Sequence, residues 1–210
     1  MGIPRIKYYD APTKVDLVRS PLPWKVEPDR AALLVHDMQN YFLRPYESDV
    51  FVNKMVANID AIRRICHALD IPTFYTAQSG GQSAGMRGLL LDFWGEGMPK
   101  GAAQAIVQGL EPVEGKDQVL EKHRYSAFVK SDLLERLAQQ RRNQLIICGV
   151  YAHIGCQVTA TDAFMADIKP FFVADALGDF SLERHEMALR YVAHCSGKVV
   201  TTSQVLNELV

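Results

Sequence analysis

The sequence is poor in cysteine and begins without the features of a leader. Its 210 residues contain four cysteines, and none of them forms a CxxC pair. The opening MGIPRIKYYD has no apolar run behind a basic patch, so a secretory signal is not predicted. We therefore expect reduced thiols in a cytoplasmic protein, with Cys66, Cys148 and Cys195 packed in the core.

The sequence also lacks the patterns of proteins that bind zinc, membranes or nucleic acid. Its six histidines include no HxxxH or HExxH spacing, so no zinc site is predicted. No apolar stretch approaches the roughly 20 residues of a membrane span. The net charge is -1 without a block of like charges, so neither nucleic acid nor a membrane surface is an expected partner.

The composition that is present suits one globular domain. Hydrophobic residues make up 48% of the chain and charged residues 22%, which is enough for one sizeable core. Half of the prolines lie near the start, where each fixes φ and removes a backbone donor. They are Pro4, Pro12, Pro21, Pro23 and Pro28. We expect an extended arm over residues 1–30 and one domain over residues 31–210.

Apolar runs without alternation recur along this domain. Such runs are typical of strands that are covered on both faces, as in a parallel sheet. The runs are AALLVHD (31–37), IPTFYTAQ (71–78), QLIICGV (144–150), PFFVAD (170–175), KVVTT (198–202) and the weaker QVLEK (118–122).

Segments with helical spacing lie between these runs. Residues 52–69 place apolar side chains on one face, and Ser131 and Ser181 are positioned to cap two further helices. The helix after Ser181 is predicted to bury Met187, Ala188, Tyr191, Val192 and Cys195. Residues 79–108 are rich in glycine and predict long loops with a short helix. The alternation predicts an α/β fold, a doubly wound, mainly parallel sheet with helices on both faces.

The strand ends indicate where a site would lie, because open α/β sheets bind ligands beyond the carboxyl ends of their strands. Asp37, Gln78, Lys122, Tyr151 and Asp175 lie at or just after predicted strands and are expected to meet in one crevice. Singly, each has an ordinary alternative. An aspartate after a strand is as often a turn former or helix cap.

Blocks of sequence from end to end of the chain resemble the isochorismatases. They are HDMQNYF (36–42), YTAQ (75–78), RGLLLDFWGEGM (87–98), KHRYSAF (122–128), GVYAHIGC (149–156), TDAFMADIKPF (161–171) and VADALGDFS (173–181). The family belongs to the isochorismatase-like hydrolases, which also include nicotinamidases. The resemblance implies a Rossmann-like three-layer fold and an enzyme that uses no cofactor or metal.

The implied reaction is hydrolysis of the enolpyruvyl vinyl ether of isochorismate to pyruvate and 2,3-dihydro-2,3-dihydroxybenzoate. The alternative substrate is 2-amino-2-deoxyisochorismate, the substrate of phenazine-pathway relatives. Vinyl ethers hydrolyse after protonation of the terminal alkene carbon, so the site needs a general acid. Asp37 is the candidate acid, and Lys122 is expected to orient it or to hold a substrate carboxylate. Burial would raise the pKa of Asp37 and Lys122 would lower it, which leaves its charge open.

The resemblance also implies the substrate contacts. Arg87 suits a bidentate contact with a carboxylate, and Gln78, Tyr151 and the Gly155 N–H complete the polar set. Apolar walls are expected from aromatic side chains at several positions, namely Phe42, Phe93, Trp94 and Tyr125. The peptide bond between Val150 and Tyr151 is expected to be cis.

Cys156 raises the alternative of a thiol hydrolase. In nicotinamidase-like relatives the nucleophilic cysteine lies four residues before the threonine of a TAxDA motif, which here begins at Thr159. That position is Gly155, and a shift of one residue rotates a helical side chain by about 100°. Such relatives also bind a metal through histidines after the first strand, and no histidine lies between Asp37 and His67. We expect Cys156 to be a packed side chain, with a Cys-dependent amidohydrolase as the minor alternative.

Two departures from the family pattern and the partners complete the expectations. His123 replaces the usual tryptophan after Lys122 and is expected to face away from the site, and TAQSGG replaces TAQP. Some relatives carry a fused aryl carrier domain, which the sequence does not match; a stand-alone hydrolase and a piece of a fusion both remain open. The expected partners are the small-molecule substrate, a second copy in a homo-oligomer (dimer favoured) and a separate aryl carrier protein. A non-enzymatic assembly role is a further alternative.

Overall fold

The computed structural model describes residues 2–13 and 22–210, which form a six-stranded parallel sheet between two layers of helices. The strands are β1 (Ala31–His36), β2 (Thr73–Ala77), β3 (Asp117–Glu121), β4 (Gln144–Val150), β5 (Lys169–Gly178) and β6 (Lys198–Val200). Their order is β3-β2-β1-β4-β5-β6, and each neighbouring pair is parallel. The predicted doubly wound α/β fold is confirmed, and the weak QVLEK run forms an edge strand.

The central strands are buried along their whole length because the two layers cover both faces. In β1, Leu33 and Val35 face one core, whereas Ala32 and Leu34 face the other. Neighbouring residues of a strand point to opposite faces, so both must be apolar here. This explains the unbroken apolar runs of the sequence.

Eight α-helices lie among the described residues. They are α1 (Asn40–Leu43), α2 (Asp49–Ala68), α3 (Ala84–Arg87), α4 (Leu90–Trp94), α5 (Leu133–Gln139), α6 (Gln157–Met165), α7 (Leu182–Cys195) and α8 (Thr202–Leu209). Helices α2 and α8 pack on one face of the sheet, and α5, α6 and α7 pack on the other. A 3-10 turn (Ala102–Gln104) and a π-helical turn (Ala152–Cys156) complete the secondary structure.

The structure separates the correct helix predictions from the incorrect ones. Ser181 caps α7, because its side chain accepts a hydrogen bond from Arg184 N. The prediction for Ser131 holds in part: the N-cap position of α5 is Asp132, which makes no side-chain cap bond, but Ser131 Oγ accepts a hydrogen bond from Leu133 N at 3.4 Å and donates to Ala127 O. The loop region 79–108 contains two short helices, α3 and α4, instead of one.

The buried face of α7 also differs from the prediction. Met187, Tyr191 and Cys195 are exposed, and the buried stripe runs through His185, Ala188, Leu189 and Val192. The buried His185 ring bonds to Tyr9 of the N-terminal arm. A prediction from the spacing of apolar residues does not include a polar residue such as this one. A core position for Cys195 was therefore wrong, whereas Cys66, Cys148 and Cys156 are buried as expected.

Strand β5 continues beyond its predicted end at Asp175. The pairing of β4 with β5 is irregular between Ile147 and Gly149, and Gly149 then pairs with Leu177. Asp175 therefore lies within the strand, where its Oδ1 accepts hydrogen bonds from the N and Oγ1 atoms of Thr202 at the start of α8. Its expected place in the crevice is wrong.

The described parts of the N-terminal arm contain no helix. Ile6 forms an isolated bridge with Tyr46, its N donating to Pro45 O at 2.9 Å. Pro21 and the other residues of the segment 14–21 lie outside the described residues, so the division into arm and domain stays a prediction. None of the helices in residues 2–13 and 22–210 combines the length and apolar character that crossing a membrane requires.

Candidate active site

One cavity at the carboxyl ends of the strands brings together the residues predicted for the site, except Asp175 and Phe93. Its lining includes Asp37, Phe42, Gln78, Arg87, Trp94, Lys122, Tyr125, Val150, Tyr151 and Gly155. The cavity lies at the end of β1, which is flanked by β2 and β4. From β1 the strand order proceeds to one side through β2 and β3 and to the other side through β4, β5 and β6. This is the expected ligand position in a doubly wound fold.

Asp37 and Lys122 form a buried ion pair in this cavity. Lys122 Nζ is 2.5 Å from Asp37 Oδ2, and each residue is 4% exposed. Thr76 Oγ1 donates to Asp37 Oδ1 at 2.6 Å and accepts from Asp37 N at 3.0 Å. Asp37 adopts a φ of 51°, a left-handed conformation that is uncommon outside glycine. Two side chains from neighbouring strand ends, Lys122 and Thr76, therefore hold the carboxyl in one orientation.

The charge of Asp37 follows from two opposing effects. Burial raises the pKa of the Asp37 carboxyl, but the positive charge of Lys122 and the hydrogen bonds from Lys122 and Thr76 together outweigh this effect. The net effect lowers the pKa of Asp37 below its usual value, so the carboxyl is ionised beside Lys122 at neutral pH. This answers the question that the sequence left open.

His36 lies beside the pair as a neutral base. Burial, reinforced by the charge of Lys122, lowers the pKa of the His36 imidazole to about 4. Its Nδ1 is 2.8 Å from Val150 O, and because a carbonyl only accepts, Nδ1 carries the proton. The ring is fully buried and joins the end of β1 to the end of β4.

The His36 ring occupies the space that a side chain at position 155 would need, and the residue there is Gly155. A Cβ at position 155 would lie 2.3 Å from His36 Cε1 and 3.1 Å from Tyr125 O, which is too close for either. Gly155 lines the cavity, as predicted, so no side chain separates the cavity from the backbone at this position.

Cys156 points into the protein core. It is fully buried among the residues that face α5, α6 and α7, and it is not among the described residues that line the cavity. Burial, followed by the nearby carboxylate of Asp37, raises the pKa of the Cys156 thiol well above its usual value. The opposite shift is needed for a reactive thiolate, so the expectation of a packed side chain is confirmed.

The second cation of the cavity, Arg87, is held by the loop that follows α4. Its Nε donates to Gly95 O at 2.6 Å, and the side chain is almost fully buried. Gly97, at a φ of 78°, passes so close that a Cβ there would lie 2.2 Å from Arg87 Nη1. Residues 95–97 thus pack against the guanidinium group, and the Arg87 side chain also lines the cavity.

Gln39 was missed by the sequence analysis and fixes Gln78. Its Oε1 accepts from Gln78 N at 2.8 Å, and its Nε2 donates to Gln78 O at 2.9 Å. The Gln39 side-chain amide therefore makes the two backbone hydrogen bonds that a neighbouring strand would make with Gln78, just beyond β2. The only sequence signal was that Gln39 belongs to the HDMQ block.

Aromatic side chains form the walls. Trp94 Nε1 donates to Tyr125 Oη at 2.8 Å, and Tyr151 Oη donates to Phe42 O at 2.5 Å. The peptide bond between Val150 and Tyr151 is cis, as the resemblance implies. Phe93 was wrongly expected here, because it is 58% exposed on α4.

Other lining residues carried no sequence signal of their own, and these include Ile3, Arg124, Ile154 and Phe180. Ile3 comes from the N-terminal arm. His123 is absent from the described lining, and its Nε2 lies 4.0 Å from Glu121 Oε2. Among residues 2–13 and 22–210, no three His, Cys, Asp or Glu side chains are placed to hold a metal ion together.

Comparisons with known proteins identify the family that the sequence blocks resemble. The family model described as "Isochorismatase domain" matches residues 31–204. Enterobactin synthase component B of Escherichia coli K12 is 50% identical over 98% of this chain and 73% of its own length. The isochorismatase of Bacillus subtilis is 48% identical over 100% of this chain and 67% of its own.

A third relative and a solved structure extend the comparison. The phenazine biosynthesis protein PhzD of Pseudomonas fluorescens is 48% identical over 98% of this chain and 99% of its own. The crystal structure of a cysteine hydrolase from Pseudomonas syringae pv. phaseolicola has the same fold, with a TM-score of 0.80 at 21% identity over 89% of this chain and 95% of that chain. By the family match and these identities, the chain belongs to the isochorismatase family.

Proposed function

We propose that this protein is an isochorismatase, which hydrolyses the enolpyruvyl vinyl ether of isochorismate to pyruvate and 2,3-dihydro-2,3-dihydroxybenzoate. The observation that carries the proposal is the buried Asp37–Lys122 pair in a cavity where position 155 is glycine. A vinyl ether needs a proton donor and a water molecule, but no protein nucleophile. The names and identities of the relatives from Escherichia coli and Bacillus subtilis support the same reaction.

In this mechanism Asp37 delivers a proton to the terminal carbon of the enolpyruvyl group. The CH₂ becomes CH₃, and the adjacent carbon becomes an oxocarbenium ion. Water adds to that carbon and returns a proton to Asp37, so that no net proton is consumed. The hemiketal then breaks its bond to the ring oxygen and yields pyruvate and an alcohol.

The acid must gain its proton before it acts, because Asp37 is ionised beside Lys122. The substrate brings two carboxylates into a cavity that contains Lys122, Arg87 and Arg124. A substrate carboxylate on Lys122 shares the ammonium with Asp37 and weakens its stabilisation of the ionised form. Binding therefore raises the pKa of Asp37 and draws a proton to it.

The second candidate substrate is 2-amino-2-deoxyisochorismate, which carries the same vinyl ether. The observation that favours it is the 48% identity to the phenazine biosynthesis protein over nearly both whole chains. The chemistry at Asp37 is the same for both substrates, and they differ only in the group at the ring 2-position. Turnover of each at equal concentration decides between a siderophore-type and a phenazine-type role.

The test measures pyruvate release with an assay coupled to lactate dehydrogenase, and both substrates are assayed in parallel. Asp37→Asn should lose pyruvate release by a factor of about 10² or more, because the general acid is removed. Cys156→Ala and treatment with iodoacetamide should leave it within about threefold, because the thiol is buried away from the cavity. Loss of activity in Cys156→Ala with full activity in Asp37→Asn would favour a thiol hydrolase instead. Absence of turnover by the unaltered protein would favour a non-enzymatic role.

The remaining expectations belong to the same proposal. The enzyme acts in the cytoplasm as a homodimer, without metal or other cofactor, and an aryl carrier protein takes part later in the pathway. Light scattering on the purified protein tests the dimer, and a mass of one chain contradicts it. Full pyruvate release after dialysis against EDTA is expected, and recovery that requires added metal contradicts metal independence.

A further inference from the structure

A fully buried carboxylate, Asp179, lies directly behind the wall of the cavity. It occupies the turn between the end of β5 and Ser181, the N-cap of α7. Its Oδ1 accepts from Phe180 N at 2.7 Å and lies 2.5 Å from His153 Nδ1. Its Oδ2 accepts from His153 N at 2.7 Å. One carboxylate thus joins the turn after β5 to the turn after β4.

Both turns present residues to the cavity. His153 is followed directly by Ile154 and Gly155, which line it, and Phe180 lines it from the other turn. The Phe180 ring packs against Tyr151, with ring centroids 4.5 Å apart, and against the His153 ring at 5.1 Å. None of these contacts reaches Asp37, so Asp179 bears on the reaction through the groups that it holds in place.

The same residue receives the N-terminal arm. Asp179 N donates to Tyr9 Oη at 2.8 Å, and Tyr9 Oη lies 3.1 Å from His185 Nδ1 on α7. Tyr9 is buried against Phe51, and farther along the arm Ile3 lines the cavity. A chain of contacts therefore runs from the arm through Asp179 to the glycine beside Asp37.

We propose that Asp179 is a positioning residue that holds the Ile154–Gly155 backbone, the Phe180 ring and the N-terminal arm in the arrangement that binds the substrate. A buried carboxylate with three converging donors is rigid, because each donor left without it would be buried and unpaired. The turnover test of this role rests on the proposed hydrolase function. The positions of the backbone and of the Phe180 ring can be tested without it.

The test uses two replacements of His153 that differ in one hydrogen bond. Asn places an N–H donor close to the position of Nδ1, and Leu fills a similar volume without a donor. Both lose the ring contact with Phe180, so their difference reports the bond to Asp179. His153→Leu should reduce kcat/KM by about tenfold or more, mainly through KM, whereas His153→Asn should stay within about threefold.

The arm is tested by a matched pair of neighbouring tyrosines. Tyr9→Phe removes the hydroxyl that joins the arm to Asp179, whereas Tyr8→Phe removes an exposed hydroxyl that donates to the neighbouring Asp10. We expect a rise in KM for Tyr9→Phe and none for Tyr8→Phe. Asp179→Asn should show the combined effect if it folds.

Equal kcat/KM values for His153→Leu, His153→Asn and the unaltered protein, measured well below their unfolding temperatures, would overturn the proposal even if their stabilities differed. If the unaltered protein releases no pyruvate, the proposed function fails and amide hydrogen exchange replaces turnover. His153→Leu should then speed exchange at residues 154–156 and 180 relative to His153→Asn. Unchanged exchange in both variants would refute the positioning role on its own.

Discussion

Single residues set the chemistry of the cavity through the groups that they contact. Asp37 follows β1 and would be an ordinary strand-end aspartate without Lys122 and Thr76. A buried ion pair is costly to desolvate, so the retention of one in the cavity agrees with a role in the reaction. Gly155 has a similar dependence on its neighbour, because the His36 ring occupies the space of any Cβ.

Replacement of Lys122 should move the pH dependence of turnover. In Lys122→Met the main influence that lowers the pKa of Asp37 is gone, and burial, which raises that pKa, dominates. Activity that requires protonated Asp37 falls as pH rises through its pKa, so the falling limb of kcat should shift to higher pH. A kcat–pH profile of the variant measures this, and an unshifted limb would show that the limb does not report Asp37. Lys116→Met, at an exposed lysine in the turn before β3, provides the control.

Gly155→Ala should damage both stability and activity. The new methyl would lie 2.3 Å from His36 Cε1, and overpacking of this kind costs about 1–3 kcal/mol. We expect a lower urea midpoint and a large loss of kcat/KM. Gly85→Ala is the matched control, because a Cβ at Gly85 in α3 meets nothing within 4 Å. Equal effects of the two substitutions would contradict the steric account.

The helices and strands bring these residues together in ways that depend on their ends. Strands β1 to β4 each deliver their last side chain or the residue after it to the cavity. Helices α7 and α8, which follow β5 and β6, begin at capped positions. Ser181 caps α7 immediately after Phe180, and Thr201 caps α8 with the reciprocal bonds of a capping box. At α5 the N-cap position is Asp132, one residue after the predicted Ser131, and Ser131 Oγ accepts the hydrogen bond from Leu133 N.

The capping box of α8 should contribute measurably to the stability of the fold. The Thr201 side chain accepts from Gln204 N, and loss of such a cap typically costs about 1 kcal/mol. Thr201→Ala should therefore lower the melting temperature by about 2–4 °C, as followed by circular dichroism. Thr201→Ser keeps the hydroxyl and should recover most of that shift. An equal loss in both variants would assign the effect to the buried methyl group.

At the scale of the whole molecule, two buried neutral histidines link the fold to pH. Burial lowers the pKa of His36 and of His185 to about 4 from the usual 6.5. His36 joins β1 to β4, and His185 joins α7 to the N-terminal arm. Protonation of either in the folded state would place a charge in the core, so both favour unfolding in acid.

The free energy of unfolding should therefore decrease as pH falls from about 6.5 towards 4. In this window the unfolded chain binds two protons that the folded chain does not, so stability rises with pH and is lost in acid. Each histidine contributes up to about 3 kcal/mol over the window. Urea unfolding at a series of pH values measures the slope. His185→Gln should flatten it, whereas His194→Gln, at an exposed histidine, should not; equal slopes in all three proteins would contradict the account.

The sequence by itself determined the class of fold, the order of the strands along the chain and most of the predicted residues that line the crevice. Unbroken apolar runs indicate doubly covered strands, and the rule that ligands bind at strand ends converts those runs into Asp37, Gln78, Lys122 and Tyr151. Both signals are local or periodic and can be read without contacts. The spacing before Thr159 likewise identified Gly155 instead of Cys156 as the residue of interest.

Only the tertiary structure decided the charge of Asp37, the steric need for Gly155 and the network around Asp179. Each depends on groups that are far apart in sequence: Lys122 on Asp37, the His36 ring on Gly155, and Tyr9 on Asp179. The wrong predictions have the same origin, since the buried face of α7 shifts to include His185 once the arm supplies its partner. Periodicity reports which residues are apolar, whereas burial and pKa follow from the contacts that the folded chain creates.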